Sequence, residues 1–424
     1  MIIINVYLYK RFRIQIANFG IYFWAALIPM ILSLVSNPFI TKNMSPEDFA
    51  IVGYYTAFNS LFGPLINFYL LHYYTKRYFE LDELGRNTLK STLFKALIIF
   101  SLLMTGVALI SLFVYTIIFN KNTQIPFMPY AVISILALPI TGIYTLTLTE
   151  FRMSRQSKKF FSFSVTNSVV AIGFSLLFVV TIHWGAIGKL SATLLATSLM
   201  FLYILSINRD IWNYRFDKII FKDAILFCWP LVIASMLTFF CTGYDKVILE
   251  RQDDIHALGI YSVGVTIAGY LHLFSNSIND TFQPDIYETI VKRQFSRCAK
   301  FVAMKLSIMS ICVMGFIVLA PFIIDVLTFG KYVESAPYAR IIAISSVTSM
   351  LYYSMSQITV ALGFTSITLT NKIAGSLISI ISFNYLIARY GVIGASWGVV
   401  LSYLYFFLGN ATLVYWKYKK IHKA

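Results

Sequence analysis

The feature that most limits this chain is the length and frequency of its apolar runs. A helix needs about 20 apolar residues to cross the hydrocarbon core of a bilayer, and the sequence supplies roughly a dozen such runs. Hydrophobic residues fill 58% of the 424 positions, charged residues fill 12%, and the mean hydropathy is +0.74. A soluble domain of that balance would have no polar surface to meet water.

The expected fold is therefore an all-α polytopic membrane protein. Lipid offers backbone donors and acceptors no partners, so a spanning segment must be a helix or a strand of a closed barrel. Barrel strands would require short alternating runs, and the sequence does not have them. The apolar segments predict twelve helices. The first six cover Ala17–Val35, Phe49–Leu71, Leu93–Ile118, Phe127–Thr149, Phe161–Ile182 and Ala186–Ile207. The second six cover Ala224–Leu249, Leu258–Asn279, Phe301–Leu327, Tyr338–Leu362, Ile367–Ala388 and Val392–Trp416. The basic cluster Lys10, Arg11 and Arg13 precedes an apolar run too long for a signal-peptide core, so the start reads as a retained segment.

Charge placement sets an expected orientation. Twenty-four Lys and Arg fall in the N-terminus, the C-terminus and the loops on their side, Lys372 of loop 10–11 included, against eight on the opposite side. The positive-inside rule then puts both termini in the cytoplasm. It also accounts for the net charge of +16 without a nucleic-acid partner, since basic loops rest against anionic head groups. The four cysteines have no metal-ligand spacing and read as inert apolar fillers.

The halves echo each other. Trp184-Gly185-Ala186-Ile187-Gly188 and Tyr390-Gly391-Val392-Ile393-Gly394 are 206 apart, Lys95 and Lys305 are 210 apart, and Asn67 and Asn276 are 209 apart. Phe49-Ala50-Ile51 and Leu258-Gly259-Ile260 repeat at 209. The expectation is a duplicated six-helix unit, residues 1–207 and 208–424, with the two copies in parallel as many transporters are built.

Several of these residues also resemble a known family. Gly243-Tyr244-Asp245-Lys246-Val247-Ile248-Leu249, followed after a short polar loop by Leu258-Gly259-Ile260-Tyr261-Ser262-Val263, is similar to polysaccharide-export members of the multidrug/oligosaccharidyl-lipid/polysaccharide (MOP) superfamily. Ser45-Pro46-Glu47-Asp48-Phe49 resembles the matching loop of the first half, with Ala50 where that loop often carries Gly. Length and span number resemble Wzx-type O-antigen flippases. The resemblance implies a MATE-like, V-shaped pair of six-helix bundles in the bacterial inner membrane. The implied task is flipping an undecaprenyl-pyrophosphate-linked oligosaccharide from the inner to the outer leaflet. A glycan polymerase and a chain-length regulator are the implied protein partners.

Flipping breaks no bond, so this reading includes no catalytic residue, cofactor or metal. It needs a cationic, hydrogen-bonding interior. Lys95 and Lys305 are the first candidates for the pyrophosphate, because an ammonium inside a bundle is costly unless something anionic visits it; the competing reading is that both snorkel to the interface. Lys246 and Arg340 come next, with Asn67 and Asn276 as neutral contacts. Asp245 is a candidate ion-coupling group. Adjacent helical positions point about 100° apart, so Asp245 and Lys246 are expected not to serve one partner. His72 and His272 read as structural. The hydroxyls and amides of helices 8, 10 and 11 read as helix contacts or as sugar ligands, with Tyr352 or Tyr353 as a stacking surface. Pro29, Gly63-Pro64, Pro139 and Pro321 weaken their helices and read as kinks or hinges.

Rival functions lack their chemistry. A membrane glycosyltransferase or glycan polymerase needs catalytic groups in a sizeable outer loop, and the outer loops are short, Asp253-Asp254 lying in one of them. An acyltransferase needs an embedded His with a polar partner. A cation-coupled drug antiporter of the same fold is the serious alternative, and it calls for buried carboxylates that helices 1 and 10 do not carry.

Overall fold

The computed structural model describes residues 21, 24, 25, 27–119, 123–252, 254–362 and 364–423. Lys10, Arg11, Arg13, Lys121 and Asp253 lie outside the described residues, as does the start of the first expected span. Among the described residues the chain is helical and has no strand. Its elements are α1 (Leu27–Lys42), α2 (Pro46–Asn67), α3 (Leu70–Arg77), α4 (Glu83–Phe119), α5 (Tyr130–Met153), α6 (Ser157–Ser175) and α7 (Gly185–Ile207). There follow α8 (Lys218–Met236), α9 (Phe239–Thr242), α10 (Tyr244–Glu250), α11 (Ile255–Val291), α12 (Phe295–Thr328), α13 (Ala336–Ala361) and α14 (Thr365–Lys423).

Nine candidate spans among the described residues are long and apolar enough to cross a membrane. Their free faces are greasy: Ile99, Leu102, Leu103 and Ile110 of α4 and Ile311, Met314, Val318 and Phe322 of α12 are all exposed. Such contiguous apolar surface suits lipid and not water. Three further passes of the sequence reading are met differently. α1 is a shorter apolar helix, α13 is long enough but rich in serine, and α14 folds back on itself at Gly391.

Three boundaries depart from expectation for local reasons. The second span ends at Asn67, because Phe68 and Tyr69 both take positive φ and restart the chain as α3. The seventh is broken into α8, α9 and α10, with Gly243 at the last break. The eighth does not stop at Asn279; α11 runs through Pro284 to Val291.

The chain forms two compact units. One takes the residues up to Asn43 with Gly63–Val114 and Phe127–Leu231, and the other takes Met44–Phe62, Tyr115–Pro126 and Val232–Ala424. The core of the first is Leu70, Tyr74, Leu93, Leu97, Ile143, Met200 and Ile204. In the second, the two arms of α14 lock through reciprocal glycines. A Cβ on Gly375 would meet the Phe406 ring at 2.4 Å, and one on Gly398 would meet the Phe383 ring at 2.4 Å.

The repeated glycine motifs do the same work in both places. Gly185 has φ +51° and Gly391 φ +55°, a left-handed turn that lets one helix double back into the next. The second glycine of each copy makes the close approach that follows. A Cβ on Gly188 would lie 3.1 Å from the Phe178 backbone, and one on Gly394 would lie 2.0 Å from the Leu386 carbonyl.

Family-like stretches form a tight contact inside the second unit. Ser45 and Asp48 cap α2 reciprocally: the Ser45 N–H donates to Asp48 Oδ2 at 2.9 Å, and the Asp48 N–H donates to Ser45 Oγ at 3.2 Å. The hydroxyl of Tyr332 and the ammonium of Lys331 both donate to the Met44 carbonyl at 2.6 Å. Gly259 lies so close to the Pro46 carbonyl that a Cβ there would sit 1.9 Å from the oxygen.

Candidate functional site

One face of α11 organises the polar interior of the second unit. Tyr261, Ala268, His272, Asn276, Asn279, Gln283 and Tyr287 recur at steps of three and four or their multiples, so they stack along one stripe. At about 1.5 Å per residue the stripe is about 39 Å long, more than the roughly 30 Å hydrocarbon core. α13 faces it with Ile342, Ser345, Ser346, Tyr353, Ser356, Gln357 and Val360.

Two cavities open along this stripe. The smaller, about 200 Å³, holds Thr242, Asp245, Lys246, Tyr261, His272, Ser345, Ser346 and Tyr403 among its walls. The larger, about 520 Å³, is lined by Asn276, Asn279, Gln283, Tyr287, Tyr353, Ser356, Gln357 and Val360, all without formal charge. The rings of Tyr353 and Tyr403, one from each cavity wall, lie 6.4 Å apart.

Asp245 and Lys246 correct the expectation that neighbouring positions could not serve a common partner. The Tyr261 hydroxyl donates to Asp245 Oδ2 at 2.5 Å, the Lys246 ammonium lies 3.5 Å from the same oxygen, and it also lies 5.9 Å from the Tyr261 ring centre. The 100° separates the Cβ directions, not the tips, and the four-carbon lysine stem swings its charge back across the turn. Asp245 is 1% exposed and its Oδ1 has no hydrogen-bond partner.

Lys305 is fully buried. Its ammonium donates to Asn279 Oδ1 at 2.8 Å and to Gln357 Oε1 at 3.4 Å, two residues of the larger cavity wall. Lys95, its counterpart in sequence, is half-buried and donates to the Tyr214 carbonyl at 2.6 Å, tying α4 to the segment before α8. Asn276 is exposed in the larger cavity. Asn67, its counterpart, packs on α5, with its Oδ1 where a Cβ of Gly142 would be.

Arg340 has a backbone task. Pro321 has no N–H to donate to the carbonyl four residues earlier, which belongs to Ile317. The Arg340 Nε donates to that carbonyl at 2.9 Å. An unpaired carbonyl within a membrane helix is costly, and the guanidinium removes the cost.

Lys372 is also corrected. It is not a loop charge but lies in α14 at 8% exposure, donating to Thr238 Oγ1 at 2.9 Å with its ammonium 4.8 Å from the Phe406 ring and 5.0 Å from the Tyr352 ring. Tyr352 is thereby part of the core, and Tyr353 is the tyrosine of the pair that faces a cavity. His72 stacks on Tyr69 with ring centres 4.9 Å apart, whereas His272 lines the smaller cavity. The thiols are free, and no cluster of metal-ligating side chains occurs among the described residues.

Gln283, Tyr287 and Tyr403 are among the cavity residues that reading the sequence missed. For Gln283 and Tyr287 the signal was available, since the stripe continues past Asn279 at unchanged spacing.

The fold is that of the MOP transporters. An inward-facing multidrug-resistance MATE transporter of that superfamily is 14% identical, over 94% of this chain and 99% of the other, with TM-score 0.67. The lipid II flippase MurJ in an inward closed conformation is 16% identical, over 92% and 86%, also with TM-score 0.67. A MOP superfamily transporter from Pyrococcus furiosus, described as having a binding pocket of reversed polarity, is 14% identical, over 93% and 95%, with TM-score 0.56. No match is found among curated proteins. The model of the polysaccharide biosynthesis protein family matches residues 16–290, about two thirds of the sequence, and the chain belongs to that family.

Proposed function

We propose that this protein is a flippase for a lipid-linked oligosaccharide, carrying the glycan head group across the bacterial cytoplasmic membrane while the polyprenyl tail stays in lipid. The observation that carries the reading is the α11 stripe with the α13 residues facing it, where tyrosine, histidine, amide and hydroxyl side chains line two cavities in succession. A head group that crosses lipid must exchange water for hydrogen bonds, and polar cavity walls supply them. Membership of a polysaccharide biosynthesis family supports the glycan, and a fold shared with MurJ supports flipping as the step.

In this reading the cargo is an undecaprenyl-pyrophosphate-linked repeat unit of O-antigen or a related surface glycan, and both termini are cytoplasmic. Residues 1–207 and 208–424 are the two copies of an ancestral six-helix unit. Lys246, which lines the smaller cavity, is the residue that meets an anionic group of the cargo in this reading. The test is deletion of the gene: surface glycan is lost, lipid-linked repeat units accumulate in the inner leaflet, and expression of the chain restores export. Unchanged surface glycan in the deletion strain rejects the reading.

A second reading, cation-coupled drug export, is favoured by one observation, the buried Asp245 with an unpartnered carboxylate oxygen. Lys246 beside it already supplies a positive charge, which disfavours a cationic drug there. Raised drug resistance on expression, with surface glycan intact in the deletion strain, would select this reading instead.

A further inference from the structure

We propose that the larger cavity is a subsite for an uncharged sugar ring, and that Lys305 is a positioning residue that aims its amides and not a ligand for phosphate. The inference rests on the flippase reading and specifies which part of the cargo this cavity takes.

The argument begins with the ammonium. Lysine has three donors and no acceptor, so any amide beside it must present its oxygen. Asn279 and Gln357 do so at 2.8 and 3.4 Å. With their oxygens held, their NH₂ groups are turned from Lys305. Asn279 is 4% exposed, and its Nδ2 has no hydrogen-bond partner although the residue lines the cavity. A buried amide donor left unpaired is costly, so a ligand that brings an acceptor to this wall and reaches it would relieve that cost.

The remaining walls narrow the class of that ligand. None of the eight lining residues is ionised, so a phosphate or a uronic carboxylate would bring its charge to neutral walls, and the ammonium behind them is already turned to two amides. A neutral sugar suits the same walls. Its hydroxyls and any N-acetyl carbonyl meet Asn279, Gln357, Ser356, Asn276 and Gln283, and its apolar ring face can lie on Tyr353 or Tyr287. The volume of about 520 Å³ falls within the range of about 300–1,000 Å³ found for small-molecule sites.

The test uses the full-length protein in lipid nanodiscs, with chitobiose, digalacturonate and inorganic pyrophosphate as probes and saturation-transfer NMR titration as the readout. Chitobiose is expected to bind, and neither anion should displace it. Gln357→Glu keeps an acceptor for Lys305 but removes the NH₂ donor. Its chitobiose affinity should fall about fivefold, the worth of one neutral hydrogen bond, with its thermal midpoint unchanged. Lys305→Met frees both amides to rotate and should weaken chitobiose comparably. In cells it should raise the glycan-lipid concentration needed for half-maximal export more than it lowers the maximal rate. Should Lys305→Met fail to fold, Gln283→Leu, at an exposed position of the rim, gives the same reading through a smaller loss of affinity. The proposal is overturned if wild type ignores chitobiose, if pyrophosphate competes with it, or if Gln357→Glu and Gln283→Leu bind it as wild type does. Those outcomes leave the deletion phenotype, and with it the flippase reading, intact. A deletion strain with normal glycan would reject the flippase reading whatever the titration gives.

Discussion

Lys95 and Lys305 hold matching places in the two halves of the sequence, as do Asn67 and Asn276, yet the surroundings of each pair differ. In the first unit these two side chains are engaged by the fold around them. Lys95 ties down a backbone carbonyl, Asn67 fills the space above Gly142, and Lys90 bonds Glu150 Oε1 at 2.6 Å and Asn208 Oδ1 at 2.7 Å. In the second unit their counterparts border open volume. Asn276 faces a cavity, and Lys305 bonds two side chains of that cavity's wall. A shared residue type at a shared offset therefore does not bring a shared duty.

The strongest way to break this contrast is charge reversal. Lys305→Glu would bury a carboxylate with no counter-charge and turn both amides round to present their NH₂ groups to it, and export should be lost. Lys305→Ala should be milder because it removes the donor without adding a charge. Lys95→Glu loses its bonds to the Tyr214 and Trp212 carbonyls at a half-exposed site where water can replace them, and export should fall by no more than about fivefold. Surface glycan at matched protein levels is the measurement, with Lys420→Ala as the tolerant control. Equal loss from both reversals would return the two lysines to a common role.

Next in size is the glycine contrast. Both turns need φ near +50°, but the close approaches differ: 2.0 Å to a backbone oxygen at Gly394 and 3.1 Å at Gly188. Gly394→Ala should cost about 1–3 kcal/mol of stability, as overpacking does, and Gly188→Ala less. Thermal unfolding of the detergent-purified variants checks the order. A larger loss at Gly188 would mean that the second unit yields more easily than its contacts imply.

The passes and the glycine turns were legible in the sequence because hydropathy and backbone freedom are local properties. Gly185 and Gly391 could be matched by eye, since only glycine takes that φ cheaply. Side-chain destinations were not legible, because they depend on what another helix brings. Nothing in Arg340 itself points to Ile317; the link is Pro321, whose missing N–H leaves a carbonyl in want of a donor. Asp245 and Lys246 were kept apart by an argument about helix angles that ignored the reach of the lysine stem. Lys372 was counted as a loop charge, since nothing in its neighbourhood announces the aromatic rings that shelter it. Half of the α11 stripe was readable, and the rest lies past Asn279, where the sequence turns polar but the helix continues through Pro284.

The proline–arginine pair sharpens the contrast through a double-mutant cycle. Arg340→Ala strands the Ile317 carbonyl and should cost about 1–2 kcal/mol. Pro321→Ala restores the N–H that the carbonyl lacks, so in that background Arg340→Ala should cost far less. Thermal midpoints of the four proteins measure the coupling. Additive losses would mean that Arg340 does other work, and its place among the substrate ligands would reopen.

The smallest effect expected is at the paired asparagines, where the two units are compared with the least disturbance. Asn276 is exposed in a cavity and its side chain carries no packing burden that Ala would lose. Asn276→Ala should leave the thermal midpoint within about 0.5 kcal/mol of wild type, as surface substitutions do. Export should nonetheless fall two- to fivefold, about the worth of one neutral hydrogen bond. Asn67→Ala should behave in the opposite way. Its side chain is the contact that Gly142 makes room for, so its loss opens a small void and lowers the midpoint slightly while export at matched levels stays normal. The signs of the two readouts matter more than their size. If Asn67→Ala reduced export at an unchanged midpoint, the first unit would also present polar groups to cargo, and the division of labour between the units would fail.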